Sequence, residues 1–434
     1  MTDRAADSIL TSVTEWMPHQ RWYSSKGSAP RLRVLADHPL ATDDLDAIVR
    51  VLIVIDESAM PPITYQVPIV QRTTSSDAAH VIGRTPSGGV VIDGPHDTAY
   101  TSALLRQVSP ESASAAASVI TGEQSNTSII FRPPSAPPVI CKIFRQLNPG
   151  LSPDIELQFA LTGGGSNHVP RALGHTEATW RDPLDPGTTC TGSLAFAQEF
   201  LPGVEDAWRV ALRAATAGRS FTTPAHALGT ATADVHLSLA ELFPTAQADD
   251  DARAAVSAAW QRRLAIAIAE VPQLQRHRGA IAAVYERALN TDWPPLQRIH
   301  GDFHLGQVLH DPDRGWVLVD FEGEPMRPIG ERRLPDSALR DVAGMLRSFD
   351  YIAGSLPTPD APDTLAQWAL ESRTAFLAGY EDRRQERATG PLLDAFELDK
   401  AVYEAIYEAR NRPDWLPIPL TAIDRLVAPP RDAS

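Results

Sequence analysis

Two hydrophobic rhythms divide this chain. In the first half, apolar residues fall in short runs at 48–55, 65–70, 139–144 and 194–201, each bounded by polar, glycine or proline residues. Short runs of this kind, rich in β-branched and aromatic side chains, predict strands. From Asp206 onward the runs give way to long alanine-rich stretches with apolar residues every three or four positions, which predicts helices over 228–242 and 252–271. A last periodic stretch, 397–410, puts Leu398, Val402, Ala405, Ile406 and Ala409 on one helical face and Lys400, Tyr403, Glu404 and Tyr407 on the other. The pattern predicts an α+β chain, strand-rich first and helical after, divided into 1–110, 111–203 and 204–434. The small-residue segment 112–118 is expected to link the first two parts.

One segment interrupts the helical rhythm. Gln297-Arg298-Ile299-His300-Gly301-Asp302-Phe303-His304-Leu305-Gly306-Gln307-Val308-Leu309 precedes an apolar run, Trp316-Val317-Leu318-Val319, and then Asp320-Phe321-Glu322-Gly323-Glu324. Gly301 permits a sharp bend that presents Asp302, and a strand over 316–319 would deliver Asp320 at its end. Phosphoryl transfer needs little beyond a carboxylate beside the attacking hydroxyl and hard oxygen ligands for magnesium. Asp302 is the candidate base, and Gln307 and Asp320 are the candidate metal ligands. His304 is placed beside the substrate, holding the loop, and Glu322 and Glu324 are either outer metal contacts or solvated carboxylates. An aspartate at a turn is by itself more often a cap. The ordered set of base, amide, strand and carboxylate is what points to a kinase.

Such an enzyme needs a nucleotide-covering region upstream. Gly122-Glu123-Gln124-Ser125-Asn126-Thr127-Ser128 is small and polar, and reads as a turn before a strand whose N–H groups could cradle phosphates. Gln124, Ser125, Asn126, Thr127 and Ser128 are therefore candidate nucleotide contacts. Val139-Ile140-Cys141-Lys142-Ile143-Phe144 embeds a lysine in an apolar strand, which is costly without a partner. Glu156, in the helical-looking stretch 154–161, is the expected partner, holding Lys142 against the phosphates. Backbone groups at Glu199, Phe200 and Leu201, before the Pro202-Gly203 break, are expected to read the adenine edge. In the C-terminal helix, two tyrosines beside Lys400 and Glu404 suit a carbohydrate, whose C–H faces pack on rings while its hydroxyls meet polar groups.

The chain resembles the actinobacterial maltokinases. The matching stretches are Gln20-Arg21-Trp22-Tyr23, Glu123-Gln124-Ser125-Asn126-Thr127-Ser128, Pro153-Asp154-Ile155-Glu156, the motif from His300 to Leu309, Asp320-Phe321-Glu322-Gly323-Glu324-Pro325, Arg340-Asp341-Val342-Ala343-Gly344-Met345-Leu346-Arg347-Ser348-Phe349, and Leu398-Asp399-Lys400-Ala401-Val402-Tyr403-Glu404. Phe303 stands where the family pattern has leucine. The resemblance implies a bilobal protein-kinase-like fold with an N-terminal cap over 1–110, and ATP with Mg2+ as cosubstrate and cofactor. It also implies phosphorylation of maltose at its anomeric hydroxyl, with Lys400, Tyr403, Glu404 and Tyr407 approaching the sugar. A trehalose synthase partner, in a route from trehalose to α-glucan, is implied by the resemblance alone. Glucosamine kinases and aminoglycoside phosphotransferases share the His-Gly-Asp motif, so they are the alternative reading, as is a pseudokinase that only binds a partner. Asp302, Lys142, Gln307 and Asp320 are all present, which speaks against the last.

Composition narrows the partners. The 434 residues carry a net charge of −15, which disfavours nucleic acid. Only two cysteines are present, one of them in an apolar run, so a reducing cytoplasmic setting is expected. The first ten residues lack a signal-like apolar core, and no run approaches membrane-spanning length, so neither secretion nor a membrane is expected. A monomer is expected.

Overall fold

The computed structural model describes every residue except 1–2, 28, 74–79, 113–114, 121–124, 186, 325–326, 357–361 and 429–434. Two compact units result, one from residues 1–159 and 170–202, the other from 160–169 and 203–434.

The first unit holds two antiparallel sheets. Strands β1 (Leu32–Leu40), β2 (Ala47–Asp56), β3 (Ile63–Arg72), β4 (Val81–Arg84) and β5 (Val90–Asp93) build the first, in the order β1-β2-β3-β5-β4. Strands β6 (Ala116–Val119), β7 (Asn126–Arg132), β8 (Val139–Phe144), β10 (Ala172–Arg181) and β11 (Thr189–Glu199) build the second, in the order β10-β11-β8-β7-β6. The short β9 (Gln146–Leu147) leaves the second sheet to pair with β3. Helices α1 (Asp3–Trp16), α2 (Thr98–Val108) and the start of α3 (Pro153–Gly163) pack here. The expected strands at 48–55 and 65–70 are β2 and β3, each slightly longer. The segment expected to be a linker instead ends in β6, an edge strand paired to β7 from Ala116↔Arg132 to Val119↔Ile129. Small side chains read as a break, but on a sheet edge they simply leave the ladder uncrowded.

One core runs through both sheets, from Val49, Ile53 and Leu104 to Ile129, Cys141 and Phe196. A polar clasp accompanies it. Arg145, buried just after β8, donates to Thr127 (2.8 Å) and to both oxygens of Asp93 (3.1 Å each), with its guanidinium 4.8 Å over the Trp22 ring. The Arg-Trp-Tyr run near the N-terminus thus has a structural use.

The second unit is helical: α4 (Ala207–Thr216), α5 (Thr222–Leu242), α6 (Asp250–Glu270), α7 (Arg278–Leu289), α8 (Ile329–Arg332), α9 (Leu339–Ser355), α10 (Pro362–Arg384), α11 (Pro391–Asn411) and α12 (Pro417–Val427). A small sheet of β12 (Glu205–Asp206), β13 (Val308–Asp311) and β14 (Gly315–Leu318) interrupts it, carrying the motif segment. Helices α5, α6 and α11 cover the three stretches whose periodicity predicted them.

Candidate active site

In the second unit the motif forms a loop braced by α9. Gly301 has φ +84°, a conformation that L side chains rarely adopt, so the bend before Asp302 requires this glycine. Asp341 accepts the N–H groups of His300 (2.8 Å) and Gly301 (2.9 Å), and His236 Nε2 donates to it at 3.0 Å. His300 donates from Nε2 to the Val319 carbonyl (2.9 Å) and accepts the Asp302 N–H at Nδ1 (3.4 Å). Two further α9 residues touch the loop. A Cβ on Gly344 would stand 2.4 Å from the Phe303 carbonyl oxygen, and Ser348 Oγ accepts the Leu305 N–H at 3.2 Å. Asp341, Gly344 and Ser348 are spaced three and four apart, so they share one helix face. In sequence this stretch matches the family pattern without announcing a role. That spacing, with a charged, a tiny and a hydroxyl residue on one face, was the available signal.

Asp302 receives a hydrogen bond from Lys400 Nζ at 3.2 Å. Burial pushes its carboxyl up, but Lys400, His304 and His300 outweigh this and hold it below the usual carboxylate range. Burial likewise disfavours the Lys400 ammonium, yet Asp302, Glu324 and Glu404 keep it charged well past the ordinary lysine range. His304 accepts the Gly306 N–H at Nδ1 (3.0 Å), capping the turn over Leu305–Gln307, and burial lowers its pKa. It braces the loop, as expected. That turn carries Gln307, whose carbonyl accepts the Val319 N–H (3.0 Å) and whose side chain donates to Asp320 Oδ2 (2.9 Å). Asp320 follows β14 with φ +70°, an uncommon conformation for a non-glycine residue, of the kind held at functional sites. An amide oxygen and a carboxylate side by side form a hard donor set that suits magnesium.

Around Asp302 lies a small cavity lined by Asp302, Lys400, Arg263, Glu324, Arg340 and Asp399 among others. Arg263 pairs with Asp399 and lies 3.8 Å from Glu324, while Arg340 lies 3.9 Å from Glu324. Glu324 is therefore buried among cations and is no solvated carboxylate.

The C-terminal helix corrects part of the sugar-side expectation. Tyr403 stays near Lys400, whose ammonium is 5.2 Å from its ring centre, and the Arg263 guanidinium lies 5.5 Å away. Tyr407 is exposed, with Arg412 5.4 Å over its ring. Glu404, expected at the sugar, is instead buried and accepts two hydrogen bonds from Arg347, at 2.9 and 2.8 Å. Burial on α11 extends past its apolar face, and its carboxylates at Glu397, Glu404 and Glu408 meet Arg373, Arg347 and Arg412.

In the first unit, Lys142 Nζ donates to Asp154 Oδ2 at 3.0 Å. Asp154 is fully buried on the first turn of α3, and the sequence analysis left it without a role. Glu156, the expected partner, lies on the same helix. Of the proposed phosphate turn, residues 126–128 are strand. Asn126, Thr127 and Ser128 open β7, the Thr127 hydroxyl is taken by Arg145, and Ser128 is buried opposite Lys142. Thr127 and Ser128 therefore present no hydroxyl for phosphate; Ser125 is exposed, and Gln124 lies outside the described residues. At the end of β11 the Glu199 and Phe200 N–H groups are bonded to the carbonyls of Arg171 (2.9 Å) and Pro138 (3.0 Å). A base read there would meet Leu201 and carbonyl groups rather than those two donors.

Known proteins resemble this chain over most of its length. Residues 16–97 match the maltokinase N-terminal cap domain, and residues 117–324 match the phosphotransferase enzyme family. A glucosamine kinase from Streptacidiphilus jiangxiensis is 31% identical over 339 residues, covering 70% of this chain and 73% of that protein. Another from Mycolicibacterium smegmatis is 30% identical over 327 residues, covering 71% and 79%. The solved structure of a glucosamine kinase in complex with glucosamine, ADP and inorganic phosphate aligns with a TM-score of 0.67 at 25% identity, over 96% of this chain and 99% of that one. The fold and site define a kinase-like phosphotransferase. The chain belongs to the phosphotransferase enzyme family, in the group that carries the maltokinase-type cap.

Proposed function

We propose that this ATP-dependent sugar kinase phosphorylates the anomeric hydroxyl of maltose, giving maltose 1-phosphate and ADP. Asp302 takes the proton of the attacking hydroxyl, and Lys400 holds that carboxylate ionised and in place. Gln307 and Asp320 would hold magnesium, which when bound supplies charge neutralisation for the phosphates. Lys142, fixed by Asp154, binds the nucleotide side. The observation that carries the choice of acceptor is the balance of charge around the base. Asp302, Glu324 and Asp399 face Lys400, Arg263 and Arg340, three acids against three bases. A neutral acceptor fits such a wall, whereas an ammonium-bearing sugar would want an excess of carboxylate.

Glucosamine is the second acceptor to weigh, because both curated relatives are named for it. ADP release with ATP and magnesium, measured across maltose, glucose, glucosamine and an aminoglycoside, tests the choice. Turnover with maltose, leaving an acid-labile phosphate, is expected. A preference for glucosamine would keep Asp302 as base and overturn the charge-balance argument.

A further inference from the structure

We propose that the first unit carries a second small-molecule site, between its two sheets, that takes a neutral polyhydroxy compound of sugar size. A cavity of about 330 Å³ lies there, lined by residues of β1, β2, β3, α2, β10 and β11. That volume is in the range of ordinary ligand pockets and far above what one water needs.

Two buried polar side chains reach it without being used up. Tyr100, 2% exposed, lines the cavity, and among the described residues its hydroxyl has no hydrogen-bond partner. Gln66, 1% exposed, gives its amide N–H groups to the carbonyls of Phe144 (2.6 Å) and Leu194. Its own Oε1 accepts nothing among the described residues. Both oxygens stay open to the cavity, so the water that satisfies them is replaceable by a ligand that offers the same hydrogen bonds. A phenol O–H and an amide oxygen on one cavity suit a hydroxyl, which accepts from the first and donates to the second.

The rest of the lining narrows the class. Leu104, Leu194 and Val51 offer C–H surface, Thr176 adds a hydroxyl and Glu177 one carboxylate to accept from hydroxyls, and no lysine or arginine lines the cavity. A phosphate or carboxylate would find no countercharge there. At the edge, His38 Nε2 donates to the Thr179 carbonyl at 3.0 Å, tying β1 to β10. None of these residues belongs to the phosphotransfer machinery, so the inference stands whichever sugar is the acceptor.

Equilibrium dialysis of the full-length protein with labelled maltose, trehalose and glucose, and with glucose 6-phosphate as the charged comparison, tests the site. At least one neutral sugar is expected to bind at one equivalent per chain beyond any held at the acceptor site. Ala178→Phe, which fills the cavity from a partly exposed position, should remove that equivalent. Tyr100→Phe should weaken its binding several-fold to about tenfold. Both variants should keep the wild-type kcat, which also reports that they fold. Loss of no bound equivalent in Ala178→Phe for any of the three neutral sugars, as when water alone fills the cavity, overturns the proposal. An equivalent that survives both substitutions at full strength, or that glucose 6-phosphate takes as well, overturns it too.

Discussion

Asp341 accepts the backbone N–H groups of both His300 and Gly301, at 2.8 and 2.9 Å, so a carboxylate on α9 sets the bend from which Asp302 projects. The third proton it receives comes from His236, itself bonded to the Tyr380 hydroxyl at 2.8 Å. Asp341 is 1% exposed, so it depends on these donors rather than on solvent. Replacing it with asparagine puts an N–H group against donors. Asp341→Asn is expected to lose about 1–3 kcal/mol of stability and to lower kcat by an order of magnitude or more through a displaced loop. Urea unfolding beside steady-state kinetics checks this, and an unchanged variant would show that the loop holds its shape without the carboxylate.

Asp302 is the proton acceptor in the proposed reaction. Asp302→Asn keeps the size of the side chain and an oxygen for Lys400. The expected loss is about 10² to 10⁴ in kcat, with nucleotide affinity nearly intact by titration calorimetry. Wild-type turnover in this variant would remove Asp302 from the chemistry.

Lys400 sets the protonation of that base. Its charge helps hold the Asp302 carboxyl below the usual range, and the base works only when ionised, so activity falls as pH drops through its pKa. Lys400→Met removes the stabilising charge and raises that pKa. The acid limb of kcat/KM against pH is therefore expected to move to higher pH. A limb that stays in place, or moves to lower pH, would contradict the pairing.

Glu404 and Tyr403 separate packing from sugar contact on one helix. Breaking a buried ion pair leaves an uncompensated charge, so Glu404→Gln should cost roughly 2–4 kcal/mol of stability. The KM for sugar should change little. Tyr403→Ala should instead raise the sugar KM several-fold at modest cost in stability. The reverse pattern would return Glu404 to the sugar side.

The most informative residues were legible because they are neighbours in the chain. Asp302, Gln307 and Asp320 sit within one turn, one short loop and one strand, so local geometry alone brings Gln307 and Asp320 together. The α+β class and several elements, among them β2, β3, β8, β11, α5, α6 and α11, followed in the same way, from apolar period. What failed was the choice of partner. Glu404 read as a polar helix face because nothing near it in sequence announces Arg347, which α9 supplies from across the helical unit. Thr127 read as a phosphate contact because Arg145, which claims its hydroxyl, belongs to a clasp completed by Trp22 and Asp93. Lys142 found Asp154 on the expected helix.

The sequence by itself therefore determined which residues could do chemistry, since reactivity belongs to a side chain and to the turn or strand that carries it. The tertiary structure decided which of them are held ready and which are spent on stability. A buried charge must be paired, and its partner is chosen by packing between segments far apart in the chain.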